Sequence, residues 1–482
     1  MNWKVLFANV GRLLIGLGLT MLIPTAFAAW HFSVQSVPFL ESSLLTAAAG
    51  IVLRLLSGRS AAVLNHRTAF AIVSVSWVLC CLFGALPFYL GGTIPHLTDA
   101  IFEACSGFSG TGASVLVDVE AVDRAILLWR SLIQWIGGMG MVLLFVAVLP
   151  VLGAGGVHLF RAETAGPTKD KITPRVQESA LRVWLLYTSF TAACAALLVF
   201  SGVNLFDAIN HAMCALASGS FSTRNAGVAA FHSSAVDFIL GSFMLLGAIN
   251  YNLHYRIWIQ RDFSAFFDTE LKTFLGLTAG AVALISLINW NPLYYADFGT
   301  ALQSAYFTVT SMASTTGVRH YDYLQWPATT HLILIMLMVM GGMSGSSSGG
   351  IKCIRVVVAA KVILRDIKQL IHPSAILGVR INGRIIRPEL TSSIAAFICL
   401  YSISLLALSW VVLTEGLDLV TAVTATISCL SGLGPAFGTL GPMDDYSALA
   451  DSSKWALSLA MILGRLEFLT ILVMFSPEYW RK

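Results

Sequence analysis

The chain has 482 residues, of which 57% are hydrophobic and only 11% charged, and its mean hydropathy is +0.79. A soluble domain carries about 25% charged residues, so a cytosolic or secreted globular protein is excluded and an all-α polytopic membrane protein is implied. The net charge of +4 is too small to point to nucleic acid. Eight cysteines, with no CxxC or Cys/His ligand spacing, read as buried thiols rather than a disulfide or zinc set.

Apolar segments long enough to cross a bilayer run at roughly 6–30, 37–57, 69–91, 126–153, 178–202, 235–258, 269–290, 328–366 (interrupted), 391–414 and 453–475. The first resembles a signal peptide, with Lys4 and Arg12 ahead of an apolar run ending TAFAA. Its length, and a second span after a short link, point instead to a retained hairpin over 1–65. Arg54, Arg59 and Arg67 follow the second span and assign that side to the cytoplasm. The same side then collects Arg161, Lys169, Lys171, Arg175, Arg256, Arg261, the run from Lys352 to Arg387, and Arg481-Lys482. The opposite, outer side holds few cations (Arg124, Arg130, Arg224, Arg319, Lys454) and many acids, among them Asp99, Glu103, Asp118, Asp207 and Asp444. Such a face concentrates cations.

One pattern occurs four times: Leu97–Gly112, Leu205–Ser220, Leu302–Gly317 and Leu419–Gly434. Each copy opens with leucine and continues two residues later with Asp99-Ala100, Asp207-Ala208, Ser304-Ala305 or Thr421-Ala422. A small residue (Ser106, Cys214, Ser311, Ser428) holds a shared place before the closing Gly112, Ser220, Gly317 or Gly434. Fixed offsets in four copies define an internal repeat. Asp, Ser or Thr before an apolar stretch predicts a helix N-cap. About three turns then cover roughly 15 Å, half the hydrocarbon core, and a Ser/Thr/Gly strip follows where the backbone leaves the helix. Four half-helices whose partly negative C-terminal ends meet at one axis favour a cation, and inward oxygens replace its hydration shell. The architecture is therefore an N-terminal hairpin (1–65) and four pseudo-symmetric span–pore-helix–span repeats around a central pore: 66–165, 166–262, 263–370 with an interrupted inner helix, and 371–482.

The eighth span is broken by Gly341-Gly342-Met343-Ser344-Gly345-Ser346-Ser347-Ser348-Gly349-Gly350. So many small residues cannot hold a lipid-facing helix, so this stretch is expected to face the pore and to be able to move. Trp135-Ile136-Gly137-Gly138-Met139-Gly140 is a shorter echo, better read as close helix packing. Arg465 lies in an apolar run, where it either clamps the broken span or sets a charge barrier. Glu467, two residues on, points elsewhere on a helix. His211 and His320 flank strips and read as structural. The Gly-Ser stretch also matches GxSG and GxSxG patterns, but a serine nucleophile needs a base beside it, and the only later histidine is His372 in the basic link. A phosphate loop fails because Ile351 separates Gly350 from Lys352. No enzyme and no organic cofactor is expected.

Arg130–Gly140 (RSLIQWIGGMG), Gly166–Arg175 (GPTKDKITPR), Gly341–Arg355 and Gly464–Phe468 (GRLEF), together with the four repeats, resemble the TrkH/TrkG-type membrane subunit of bacterial Trk potassium uptake systems. The resemblance covers the whole chain. It implies a K⁺-conducting homodimer in the bacterial inner membrane, with one pore per subunit, both termini cytoplasmic and filter loops outside. It also implies a cytoplasmic nucleotide-binding partner ring of the TrkA kind. The filter falls on Ser109, Gly110, Thr111, Gly112; Ser218, Gly219, Ser220; Ser314, Thr315, Thr316, Gly317; and Ser431, Gly432, Leu433, Gly434. The gate falls on Gly341, Gly342, Ser344, Gly345, Ser346, Ser347, Ser348, Gly349 and Gly350, with Arg465 beside it. Ser220 stands where the family places glycine, and serine at a filter glycine goes with sodium permeation in plant relatives, so relaxed K⁺/Na⁺ selectivity is expected. The first strip departs too, with Ser109-Gly110 where threonines are common. The alternative is a Na⁺- or H⁺-coupled symporter, against which the repeats are parallel and no acidic residue is expected inside the spans to carry a proton.

Overall fold

The computed structural model describes residues 2–58, 66–138, 140, 176–375 and 377–480. The proposed boundaries at 65/66 and 165/166, the GPTKDKITPR link and the cations Arg59, Arg161, Lys169, Lys171, Arg175, Arg481 and Lys482 lie outside them. Among the described residues, six helices are long and apolar enough to cross a membrane, or seven if one bent pair is a single span.

The chain begins with two long antiparallel helices, Trp3–Trp30 and Ser36–Ser57. Their seam is made of small residues. A Cβ on Gly11 would stand 2.6 Å from the Gly50 carbonyl, and one on Gly18 would stand 2.9 Å from that of Ser43. The Ser43 hydroxyl donates to the Gly18 carbonyl at 2.7 Å. Without a hydrophobic drive between helices in lipid, this close backbone approach supplies the packing. At the tip, Ser33 donates to Asp123 and Gln35 to the Gly91 carbonyl, tying the hairpin to the first repeat.

Four repeats follow. Their outer spans are His66–Gly84, Val176–Phe200, Thr269–Asn289 and Pro388–Leu413, the last with Pro388 in the first turn, where its missing N–H costs nothing. Their half-helices are Leu97–Ser109, Leu205–Ala217, Phe298–Ala313 and Leu419–Ser431. In each, the residues of the last two turns are buried without interruption. The polar residue two places after each opening leucine is not the cap. Asn204, Asp297 and Asp418 accept the capping bonds, from Asp207 N, Thr300 N and Thr421 N, and His96 stands at the first start without a side-chain cap bond. Asp207 and Thr421 therefore sit at the third helical position, and the third half-helix is one turn longer than the repeat suggested.

The inner helices are the main departure from the sequence reading. The sequence shows a break in the third repeat alone, between Ala328–Met340 and Cys353–Ile371. In the second repeat, however, Ser234–Ala248 turns by 101° into Tyr251–Ile259. In the fourth, Asp451–Arg465 ends before Leu469–Phe475, with Glu467 and Phe468 at positive φ. The spans expected at 235–258 and 453–475 are thus each two helices. Acidic residues also fall within the expected spans, contrary to the sequence reading: Asp237, Glu270 and Glu467, the first two buried. One small β-ribbon joins the helices, Arg380–Ile381 paired with Arg384–Ile385 around Asn382-Gly383, both at positive φ as a two-residue turn requires. Asn382 docks it on the third repeat, donating to Asp268 at 2.6 Å and accepting from Thr269 N at 2.8 Å.

Replacing Gly50 with leucine is expected to force the hairpin helices apart, at a cost of about 1–3 kcal/mol. A lowered melting temperature of the detergent-solubilised protein checks this, and an unchanged midpoint counts against the seam.

Candidate ion-conducting site

All four half-helices end the same way. The residue two places before the close of each strip is left-handed: Gly110 at φ 78°, Ser218 at 58°, Thr315 at 56° and Gly432 at 69°. The chain then folds back on the helix. Gly112 N donates to Ser106 O at 3.2 Å, Gly219 N to Cys214 O, Thr316 N to Ser311 O and Leu433 N to Ser428 O, the last three at 2.9 Å. The shared small residue of the repeat therefore works through its carbonyl. The left-handed conformation costs a non-glycine residue about 1 kcal/mol, which Ser218 and Thr315 bear because the returning amides hold them there.

The strips converge. A Cβ on Gly317 would overlap the Leu433 carbonyl, and one on Gly434 would meet Thr111 O and the Ser220 hydroxyl. Gly110 lies against Ala217 O, and Gly432 against Ser109 O. Strip one thus adjoins strips two and four, and strip three adjoins four. Strips one and three share an internal bond, Ser109 to Thr111 and Ser314 to Thr316, each 2.7 Å between hydroxyls. Tyr401 OH approaches the Ser431 hydroxyl at 3.1 Å, and Gly219 lies against Gln134.

The closing position is left-handed in three copies, Gly112 at φ 79°, Gly317 at 67° and Gly434 at 104°, whereas Ser220 is not among the positive-φ residues. Its hydroxyl instead donates to the Thr111 carbonyl at 3.0 Å. One oxygen of strip one is therefore already engaged by a side chain from strip two.

The Gly-Ser stretch lies against the helix ends of the strips. Ser347 Oγ sits 2.8 Å from Ser218 Oγ and donates to Leu216 O and Gly247 O. Gly349 N donates to Thr315 Oγ1 at 2.8 Å, and a Cβ on Gly349 would overlap Ser431 O. The loop thereby touches strips two, three and four. Its amides and carbonyls pair with the bend of the second inner helix, Met343 N to Ala248 O, Ser347 N to Gly247 O and Tyr251 N to Gly345 O. Gly341 and Gly350 meet backbone to backbone where the loop enters and leaves, and Gly342 abuts Ser348. Ser346 Oγ bonds Met343 O and Ser348 Oγ, both at 2.6 Å. Lys352 Nζ donates to Ser348 O.

Arg465 lies between the loop and the first inner helix. It donates to Ser347 O at 2.6 Å and to Gly137 O and Gly138 O at 2.7 and 3.0 Å, joining the loop to the first inner helix. Gly137 and Gly138 also let the same helix lie against the half-helix ends, since a Cβ on Gly137 would strike Phe108 O and one on Gly138 would strike Ala217. Glu467 does not pair with Arg465. It takes Arg355 at 2.5 Å.

Sequence reasoning missed the burial of Glu103, Asp207, Asp237 and Glu270. Glu270 Oε1 accepts from Ser344 N at 2.7 Å and Ile354 N at 3.1 Å, stapling the start of the loop to the start of the following helix. Glu103 and Arg130, both assigned to the acidic outer face, are buried and paired at 2.7 Å. A lone carboxylate and a lone guanidinium in otherwise apolar runs were the available signal. Other charges of that face are likewise engaged. Arg224 pairs with Asp207 and Lys454 with Asp99, Arg319 donates to Asp444 O, and a hydrogen bond from Asn225 holds the Asp118 carboxyl below its ordinary range. His211 bridges Asp207 O and Ser222 Oγ, and His320 pairs with Asp237, both structural roles.

A multi-pass membrane protein with four buried half-helices whose strips converge, and with a Gly-Ser loop packed against them, has the build of a transport protein and not of an enzyme. The model of the TrkH family, cation transport proteins, matches residues 36–482. The chain belongs to this family. It is 34% identical over 486 residues to the Trk system potassium uptake protein TrkH of Salmonella typhimurium and 35% identical over 487 residues to that of Halomonas elongata, with 100% of each chain covered. The crystal structure of the potassium transporter TrkH from Vibrio parahaemolyticus superimposes with a TM-score of 0.90 at 30% identity, again over 100% of both chains.

Lysine at 465 has a single ammonium and cannot span the loop and the first inner helix as the guanidinium fork does. In a background with the native cysteines replaced, a cysteine at Ser346 is expected to react faster with a water-soluble thiol reagent when Arg465→Lys is added. Equal rates would show that the clamp does not hold the loop.

Proposed function

We propose that this chain takes up potassium across a bacterial inner membrane through a gated, channel-like pore, with the four strips as its selectivity filter. The observation that carries the reading is the fourfold left-handed turn at the C-terminal ends of half-helices that meet at one axis. Such ends bear partial negative charge, and strips of backbone and hydroxyl oxygen suit a dehydrated monovalent cation. The names of the full-length relatives support potassium as the ion. The Gly341–Gly350 loop, packed against three strips, is the gate, and Arg465 its clamp. The strips face outside and the basic links face the cytoplasm with both termini, by the distribution of Lys and Arg. The chain divides functionally into the hairpin and four pore repeats, and works as a homodimer in lipid with a nucleotide-binding cytoplasmic ring.

Coupled symport is the weaker reading. The buried carboxylates are already engaged: Glu103 by Arg130, Asp207 by Arg224, Asp237 by His320 and Gln303, and Glu270 by two amides.

Uptake of radioactive rubidium into proteoliposomes, loaded with excess K⁺ or Na⁺ and without partner, tests the reading. Uptake driven by internal K⁺ is expected. A dependence of the reversal potential on a second ion gradient would replace the channel reading with symport. Arg465→Ala is expected to raise partner-free uptake, and an unchanged rate would remove the loop from gating. Because the Ser220 hydroxyl engages Thr111 O, K⁺ should be poorly separated from Na⁺, and Ser220→Gly should sharpen the ratio. A ratio unmoved by that substitution would rule the idea out.

A further inference from the structure

Behind the strips, on the side away from the loop, lies the Glu103–Arg130 pair. Both side chains are almost wholly buried, at 0% and 2% exposure. Glu103 Oε1 accepts from Arg130 Nε at 2.7 Å and from Ser114 Oγ at 3.1 Å, while Oε2 accepts from Val115 N at 3.0 Å. Arg130 Nη2 donates to the same Ser114 hydroxyl at 2.9 Å, and Nη1 donates to Ser222 O at 3.3 Å. The guanidinium lies 3.9 Å from the ring centroid of Phe221.

Each of these partners immediately follows a strip. Ser114 and Val115 follow Gly112, and Phe221 and Ser222 follow Ser220. Ser114 also reaches the fourth repeat, since its carbonyl accepts from Tyr446 N at 2.8 Å and Tyr446 OH donates to Gly434 O at 2.7 Å. One ion pair therefore anchors the outer ends of strips one, two and four. These are the three strips that meet at Ser220, whose hydroxyl holds Thr111 O and lies against Gly112 and Gly434.

We propose that Glu103 and Arg130 are positioning residues for ion selectivity: by fixing the spacing of strips one, two and four, they set how far the oxygen ring can contract around a smaller cation. The proposal rests on the reading of the strips as the filter. Arginine is required because three donors at fixed angles serve Glu103, Ser114 and Ser222 together, which a lysine ammonium cannot match. Breaking the pair loosens the strips without removing any oxygen that lines them.

The test is the ratio of rubidium uptake driven by K⁺ to that driven by Na⁺, measured in proteoliposomes for Arg130→Lys and Ser114→Ala, each alone and combined with Ser220→Gly. Helix content and the elution volume of the purified protein are measured alongside. The expected result, at unchanged helix content, is a ratio lowered roughly fivefold by either substitution in the sharpened Ser220→Gly background and by less in the native one, a non-additivity that follows because all three residues act on the junction of strips one, two and four. A folded Arg130→Lys or Ser114→Ala protein with an unchanged ratio, or with a purely additive effect, would overturn the proposal. If Arg130→Lys fails to fold, Ser114→Ala, which removes one hydroxyl and no charge, decides alone. If Ser220→Gly and Thr316→Ala also leave the ratio unmoved, the filter reading itself fails, an outcome distinct from failure of the ion pair.

Discussion

Backbone that leaves the helix at membrane depth must find its hydrogen bonds in protein, because lipid offers none. Among the described residues the chain leaves the helix at four strips, at one long loop and at the breaks after Ala248 and Arg465, and it solves the problem by making irregular segments satisfy one another. Each strip turns back on the carbonyl of its own half-helix, and the loop lays its amides on the bend of the second inner helix, on Glu270 and on Thr315. Glycine is needed where two such backbones touch, as at Gly317 against Leu433 and Gly349 against Ser431. The broken inner helices belong to the same economy, since the 101° turn after Ala248 frees the carbonyls that receive the loop.

A single helix face organises much of this. Arg130, Gln134, Gly137 and Gly138 recur at the spacing of one stripe on the helix over residues 124–138. Arg130 holds the segments after strips one and two, and Gln134 backs Gly219 and accepts from Phe221 N. Gly137 admits the end of the first half-helix and Gly138 that of the second, and both carbonyls accept from Arg465. The first inner helix thus supports the strips along one end of its length and the loop clamp at the other.

Much of this plan was legible in the order of residues. The four strips stand out because their offsets repeat, and repetition is independent of any single propensity. The Gly-Gly-Met-Ser-Gly run announces a break because no helix tolerates so many small residues in lipid. The breaks after Ala248 and Arg465 have no such mark. The first has only Asn250, which caps the helix that follows, as a cue, and the second lies among helix formers; tertiary bonds flank both, Met343 N to Ala248 O in one case and Arg355 to Glu467 in the other. The caps were misplaced because Asp207 and Thr421 resemble caps, yet their own amides donate to the side chains of Asn204 and Asp418. The Glu103–Arg130 pair spans 27 residues, beyond any local pattern.

Arg465 is held by three backbone carbonyls. Two of these carbonyls belong to the first inner helix and one to the loop, while the guanidinium is carried by the fourth inner helix, so the contact exists only while three separate elements keep their spacing. In the gate proposed above, the lever on the loop is therefore a displacement of the fourth inner helix, or of the first, that carries donor and acceptors apart.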